Sequence, residues 1–149
     1  MSGADRHSFF HGFCTNDIKG LQKRSGCEAF LCNVKGRILG HVFVFADEES
    51  LTIESVPGQG EALTSHLNKY CLVEDVQLVD RTESLTEFLV SGPQAVQLLT
   101  DAGLDVTEFE SWRHAKLTLQ VGEVESELHI KRVDIFGTPG FLITGEAAQ

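Results

Sequence analysis

Three strand-like stretches joined by two short turns constrain the fold of this 149-residue chain more than any other feature. The first, CEAFLCNV, meets a turn at Lys35 and Gly36, and the second, RILGHVFVFA, is rich in β-branched and aromatic residues. Acidic residues then turn the chain into the third stretch, SLTIESV. Strands joined by such short turns pair antiparallel. The sequence therefore predicts a three-stranded meander from residue 27 onward.

The rest of the chain shows helices between groups of strands. GEALTSHLNKYCL repeats apolar residues at helical spacing, and a second helix is predicted to begin at Pro93 and stop at Gly103. Further strands are predicted in VEDVQLV, SLTEFLVSG, AKLTLQVGE, SELHIKRVDIF and GFLIT. Strict alternation of strand and helix is absent, which favours an α+β fold with mainly antiparallel sheet. The pattern looks doubled, and no linker interrupts it, so one domain is predicted over residues 1–149.

The charge balance argues against two classes of partner. The chain has 22 acidic residues against 12 lysines and arginines, a net charge of −10. Such a surface repels phosphate backbones and anionic lipid headgroups, so direct binding to nucleic acid or to a membrane is not expected. No apolar run approaches the roughly 18 to 20 residues that span a bilayer, and no signal peptide is visible. We therefore expect a cytoplasmic protein.

Near the N-terminus, FFHGFCTNDIKGL gathers several residue types that occur in reactive centres. His11 and Cys14 are three residues apart, so on a helix they would share a face, as a base and its nucleophile must. The neighbours of Cys14 are aromatic and apolar, however, and would raise the pKa of its thiol instead of lowering it. Thr15, Asn16 and Asp17 are residue types that cap helices. We interpret the stretch as a short helix, a break and a second helical turn, without catalysis.

The cysteines and histidines give no sign of a metal centre. All four cysteines are predicted to be reduced and structural, since nothing points to a small secreted protein. Cys27 and Cys32 would lie on opposite faces of one strand, which disfavours a shared metal. His66, His114 and His129 have no ligand-like spacing among themselves, so no metal site is predicted.

Five motifs, met in order along the chain, resemble those of the YgfZ/GcvT family, folate-binding proteins related to the glycine-cleavage aminomethyltransferase. They are GADRHSFFHGFCTNDIKGL, KGRILGHVFVF, LTSHLNKYCLVEDVQL, FLVSGPQAVQLL and FGTPGFLI, and they cover nearly all of residues 3–145. The resemblance implies a duplicated, mainly antiparallel α+β folate-binding domain, with the pterin in a central cavity. It makes tetrahydrofolate the expected cofactor.

The chain departs from the aminomethyltransferase branch of that family at three places. Gly40 and His41 occupy the positions of an acidic pair, Val56 that of an asparagine, and Thr138 that of a glutamate that recognises the cofactor. A folate nitrogen that gains charge during one-carbon transfer needs a nearby carboxylate, so no catalytic residue is predicted. The resemblance then implies the YgfZ-like branch. That branch supports iron–sulfur cluster assembly or repair and tRNA modification in a folate-dependent manner, with iron–sulfur proteins as candidate partners.

Five residues are candidates for binding folate. Arg37 suits the carboxylate of a folate glutamate, because a guanidinium binds carboxylates through two hydrogen bonds. His41 could bond a pterin edge, Glu54 could accept from ring N–H groups, and Phe136 and Phe141 could line the ring pocket. The alternatives are a solvated hairpin residue for Arg37, ordinary strand positions for His41 and Glu54, and core packing for the two phenylalanines.

Two further interpretations stay open. YgfZ-like proteins carry a downstream Lys-Gly-Cys-Tyr-x-Gly-Gln-Glu signature that this sequence lacks, so it is either a shortened domain or a divergent paralogue without the cysteine function. Two other functions are alternatives to folate binding of YgfZ type. One is a protein-interaction or structural domain with a vestigial folate pocket, and the other is a folate-dependent aminomethyltransferase.

Overall fold

A computed structural model describes residues 1–135 and 137–147 of the chain. The chain consists of two compact units, Met1–Asp80 and Arg81–Gln149. Each unit has its own antiparallel sheet and its own cluster of buried apolar side chains. The α+β class with mainly antiparallel sheet is confirmed. The assignment of a single domain to residues 1–149 stays a prediction.

The first unit is built around the predicted meander. Its three strands pair in the order β1-β2-β3, and both pairs are antiparallel. In chain order its elements are α1 (Arg6–His11), β1 (Ser25–Cys32), β2 (Ile38–Ala46), β3 (Leu51–Ser55) and α2 (Gly60–Asn68).

One face of this sheet forms the core of the first unit. Ala29 pairs with Val42 across β1 and β2, and Val44 pairs with Ile53 across β2 and β3. These side chains belong to the same apolar cluster as the buried Leu63 and Leu67 of α2. The helix predicted from the spacing of these two leucines is therefore confirmed. The helix ends at Asn68, and Tyr70 and Cys71, expected to extend its apolar face, lie beyond it.

The predicted strand VEDVQLV is wrong. The structure has only an isolated bridge between Ser2 and Gln77 in this segment. Just before it, the carboxylate of Glu74 accepts hydrogen bonds from the backbone N–H groups of Leu72 and Val73, at 3.0 and 3.1 Å. Of these two donors, only that of Val73 belongs to the predicted strand. The N–H of Val76 bonds the carbonyl of Glu74 at 2.9 Å, so local turns take donors that strand pairing would need.

The second helical turn predicted after Cys14 is also wrong. Thr15 and Asn16 instead bond the free edge of β1: Thr15 Oγ1 accepts from the N–H of Phe30 at 2.9 Å, and Asn16 Nδ2 donates to the carbonyl of Glu28 at 2.8 Å. The residue types that cap helices satisfy unpaired backbone groups of any kind, and here those groups belong to a strand edge.

The described residues of the second unit form four strands and one α-helix. The strands pair antiparallel in the order β4-β7-β6-β5, so the last strand of the chain lies inside the sheet. After a 3₁₀ turn at Thr82–Ser84, the elements are β4 (Leu85–Ser91), α3 (Ala95–Asp101), β5 (His114–Val121), β6 (Val124–Arg132) and β7 (Gly140–Glu146). All four strands match predicted ones.

Helix α3 closes one face of this sheet and ends as predicted. Gly103 has φ of +93°, and its N–H bonds the carbonyl of Thr100. The next N–H, of Leu104, reaches back to the carbonyl of Leu99 at 2.9 Å. This pair of bonds is a Schellman motif, in which glycine supplies the left-handed conformation. Leu99 and Leu104 then lie in the buried cluster with Ile130 and Phe141.

Strand β4 forms an edge of the second sheet. Within the described part of the chain its ladder partner is β7 alone. Its residues are largely exposed on both faces, with 65% of Phe88 and 45% of Leu89 accessible to solvent.

Among the described residues, no helix has both the length and the apolar character needed to cross a membrane.

Candidate functional site

The face of the first sheet that points away from its core carries two of the predicted folate-binding residues. Side chains alternate between the two faces of a strand, so His41 and Phe43 share the face opposite to Val42 and Val44. Phe30 lies directly across from His41, and Glu54 lies across from Phe43. We call this surface the histidine face, comprising Glu28, Phe30, His41, Phe43 and Glu54.

His41 is held at the centre of the histidine face by a carboxylate and two aromatic rings. Its Nε2 donates to Oε1 of Glu28 across 2.6 Å. The centroid of its ring lies 5.3 Å from that of Phe30 and 5.1 Å from that of Phe43, the latter edge-on. Its side chain is 37% exposed and that of Glu28 is 51% exposed, so the pair is open to solvent. A ligand can therefore reach the imidazole and the carboxylate together.

Glu28 is a functional candidate that the sequence did not reveal. The hairpin was expected to lack a carboxylate once Gly40 and His41 replaced the acidic pair, and the structure corrects this. Glu28 pairs with Phe43, two positions along β2 from His41, and reaches the imidazole diagonally. The register of the β1–β2 hairpin carries this information, because cross-strand diagonal neighbours are within reach of long side chains.

Gly40 faces the opposite side of the sheet from His41. It is buried beneath α2, and a Cβ atom placed on it would lie 3.0 Å from Gln59 Oε1 and 3.2 Å from Leu63. The glycine thus allows α2 to approach the sheet closely. Of the two positions that align with the acidic pair, only position 41 faces the same side as Glu28.

Arg37 and Glu54 occupy different parts of the first sheet. Arg37 is exposed in the β1–β2 turn, where its N–H bonds Oδ1 of Asn33 at 3.0 Å. Glu54 is half-buried on β3. Val56, which follows β3, is 55% exposed. The structure thus brings His41 and Glu54 onto one face and leaves Arg37 at the hairpin end, and all three roles stay predictions.

Of the two phenylalanines predicted to line a ring pocket, the structure describes Phe141. Phe141 is fully buried in the apolar cluster behind α3, and the guanidinium carbon of Arg132 lies 6.0 Å from its ring centre. Thr138 is half-buried, with its hydroxyl 3.5 Å from that of Ser91. Phe136 lies outside the described residues. The position of Phe141 suits core packing, the alternative stated for it.

In the N-terminal stretch, Cys14 packs against the apolar core of the first unit. Burial raises the pKa of Cys14, as its apolar neighbours indicated, and a thiol of raised pKa is a poor nucleophile. His11 does not serve it as a base: His11 Nδ1 accepts from the N–H of Ile18 at 3.3 Å and lies 3.5 Å from Asp17. All four cysteines are unpaired, as predicted. Burial also raises the pKa of Cys27, to about 11.

A shallow polar depression lies beside α2, away from the predicted residues. Its volume is about 490 Å³. It is lined by Glu61, Thr64, Ser65, Asn68, Lys69 and Asp80. Charged and hydroxyl side chains of this kind are typical of a solvated helix surface, so the depression adds nothing to the histidine face.

The second sheet brings together two histidines that the sequence left apart. Nδ1 of His114 lies 2.7 Å from Nε2 of His129, and the two ring centres are 4.9 Å apart. Burial, followed by the charges of Lys131, His114 and Lys116, lowers the pKa of His129 to about 3. Its ring is therefore neutral at physiological pH.

The sequence matches no protein-family model. Among curated proteins it is similar to the aminomethyltransferases of Clostridium botulinum strains Okra (Type B1) and ATCC 19397 (Type A). Each is 24% identical over 149 residues, which cover 96% of this chain and 38% of the relative. The chain thus spans less than two fifths of the length of these relatives.

The fold is shared with a solved structure of the same kind. The glycine cleavage system aminomethyltransferase T from Bartonella henselae superposes with a TM-score of 0.79 at 22% identity. The match covers 96% of this chain and 37% of that one. The described architecture is therefore an aminomethyltransferase fold, and the expected resemblance is confirmed at that level.

Proposed function

We propose that this chain is a cytoplasmic tetrahydrofolate-binding protein of YgfZ type that does not transfer a one-carbon group. The aminomethyltransferase fold supports the choice of ligand, because the resemblance to the YgfZ/GcvT family implies tetrahydrofolate. The observation that carries the proposal is the histidine face, where the imidazole of His41 contacts two phenylalanine rings and the carboxylate of Glu28, and Glu54 lies across from Phe43.

The chemistry of the histidine face suits a flat heterocycle rich in N–H groups. Phe30 and Phe43 offer aromatic surface against which a ring can stack or pack edge-on. Glu28, whose side chain is 51% exposed, offers a carboxylate that can accept from ring and amino N–H groups in short, charge-assisted hydrogen bonds. Glu54, half-buried on the same face, is the second candidate for such a bond. Arg37, at the end of the same hairpin, is the candidate for the carboxylate tail of the ligand.

The orientations of Gly40 and His41 argue against transfer of a one-carbon group. Gly40 is under α2 and presents no group to a ligand. His41 shares its proton with Glu28, so that carboxylate is directed at the imidazole and not at a developing charge on folate. A role in iron–sulfur cluster assembly or repair, or in tRNA modification, rests on the family resemblance. With a net charge of −10, we expect such a role to act through partner proteins and not through RNA contacts.

A thermal-shift titration with tetrahydrofolate tests the proposal. Ligand at about 100 times its dissociation constant adds about 2.7 kcal/mol of stability, which for a chain of this size raises Tm by roughly 5 to 10 °C. His41→Ala and Glu54→Gln are expected to weaken binding at least tenfold. Glu127→Gln, an exposed substitution on β6, is the matched control and keeps full binding. The absence of any shift for the unsubstituted chain contradicts the proposal, and so does equal binding by all three variants.

The carboxylate of Glu28 favours one second candidate, a folate-dependent aminomethyltransferase. A glutamate 2.6 Å from His41 could polarise the imidazole as a general base, replacing the acid that position 41 lacks. Turnover of an aminomethyl donor in the presence of tetrahydrofolate, abolished by Glu28→Gln or His41→Ala, would establish this function. Folate binding without turnover would support the first proposal.

A further inference from the structure

The β5–β6 hairpin places two imidazoles in each other's reach. Its register pairs His114 with Lys131 and Lys116 with His129, so the two histidines are diagonal neighbours on one face of the second sheet. The facing atoms are Nδ1 of His114 and Nε2 of His129, 2.7 Å apart. His114 is buried and His129 is half-buried, so both rings are held by their surroundings.

The separation of the facing nitrogens is close to what a shared metal ion requires. Two nitrogen ligands at 2.0 to 2.1 Å from a tetrahedral ion are about 3.3 Å apart. Moving Nε2 of His129 by about 0.6 Å would provide that distance. The half-buried ring must also turn, so that the lone pairs of the two nitrogens converge on one point instead of facing each other. The proton now shared between the rings would move to the far nitrogen of its own ring, so both imidazoles stay neutral and no proton is released.

The charges beside the two rings permit a cation. Lys116 lies 2.7 Å from Glu127, and Lys131 lies 3.1 Å from Glu87 and also bonds the hydroxyl of Thr144. The carboxylates offset the ammonium groups that would otherwise repel a metal ion.

From this geometry we propose that His114 and His129 form a binding site for a divalent transition-metal ion of the class that prefers imidazole, namely Zn²⁺, Ni²⁺ or Cu²⁺. The two rings supply two ligands, and solvent completes the coordination. The site is independent of the proposed folate-binding function, since it uses the second sheet only.

Titration of the full, tag-free chain with Ni²⁺ by calorimetry tests the proposal, together with electron paramagnetic resonance of the Cu²⁺ complex. We expect one ion per chain and a copper spectrum with hyperfine splitting from two nitrogens. His129→Gln is expected to lower the Ni²⁺ affinity at least tenfold and to remove one nitrogen from the copper spectrum. His11→Gln, a histidine of the first unit, serves as the matched control and leaves both readouts unchanged.

His114 is buried, so His114→Gln is interpreted only with a circular dichroism spectrum that matches the unsubstituted chain. The His129→Gln variant keeps the proposal testable in any case. No binding of Ni²⁺ by the unsubstituted chain overturns the proposal. Binding that His129→Gln leaves unchanged also overturns it, because the ion then lies elsewhere.

Discussion

At the scale of single residues, Gly40 and His41 show how neighbouring strand positions meet different surroundings. The sequence places both in a hairpin, but only the structure shows that one lies under α2 and the other on the open face. The raised pKa of Cys14 was predictable, because its apolar neighbours are adjacent in sequence. The Glu28 contact of His41 was not, because it depends on strand register.

Restoring an acid at position 40 is expected to damage the fold without creating catalysis. Gly40→Asp would bury a carboxylate against Gln59 and Leu63, so we expect a loss of about 2 to 4 kcal/mol in the free energy of unfolding. Gly40→Ala should cost less, about 1 to 3 kcal/mol. Urea denaturation measures both, with Gly12→Ala at the open end of α1 as the control near zero. A fully stable Gly40→Asp chain would contradict this account of the glycine.

Cys27 is expected to resist alkylation at mildly alkaline pH. With a pKa of about 11, only about a thousandth of its thiol is ionised at pH 8, whereas an ordinary thiol is ionised to tens of per cent. Iodoacetamide labelling followed by mass spectrometry should show slow modification of Cys27 in the folded chain and ordinary modification in denaturant. Equal rates in both states would argue against its burial.

The same shift predicts how stability depends on pH. The folded state holds the thiol proton more tightly than the unfolded state, so the contribution of Cys27 is complete below pH 9 and is lost as the pH rises toward 11. Denaturant midpoints measured from pH 8 to 11 should fall less steeply for Cys27→Ala than for the unsubstituted chain.

At the scale of elements, local patterns predicted what local forces determine. The three-stranded meander, both main helices and the four strands of the second sheet follow from periodicity and turn residues. The strand predicted in VEDVQLV is wrong because the side chain and the carbonyl of Glu74 accept from Val73 and Val76, a local competition that strand propensity does not include. The contact between His114 and His129 was also not predictable from their spacing in the sequence, since it depends on the register of the β5–β6 hairpin.

The Schellman end of α3 gives a prediction for its glycine. Gly103→Ala places a side chain at φ of +93°, so we expect a loss of about 1 kcal/mol in the free energy of unfolding. Asparagine tolerates the left-handed region better than alanine, so Gly103→Asn should cost less. Thermal denaturation of the two variants checks the order, and the reverse order would show that backbone conformation is not the cause.

At the scale of the whole chain, composition constrains partners more than it constrains fold. The fold class was predictable, because grouped strands without strict alternation leave few architectures. The doubled pattern also indicated two similar halves, but the boundary near Asp80 and Arg81 was not predictable, since no change in composition marks it. The net charge of −10 is a property of sequence alone.

This charge predicts the absence of nucleic-acid binding. In 150 mM salt, fluorescence anisotropy of a labelled tRNA or DNA duplex should stay unchanged up to at least 10⁻⁵ M protein, since few phosphate contacts are possible. A basic protein of similar size is the positive control. Saturable binding to tRNA below that concentration would show that the scarce lysines and arginines collect on one surface.

The exposed edge strand β4 is expected to favour self-association when the protein is concentrated. Its segment LTEFLVS has no proline and no lysine, the residues that commonly prevent an edge strand from pairing with another chain. Its one acidic residue, Glu87, already bonds Lys131. A polar substitution at Phe88 should therefore reduce aggregation during crystallisation or long storage. Phe88 is 65% exposed, so the removal of its ring should affect the fold little.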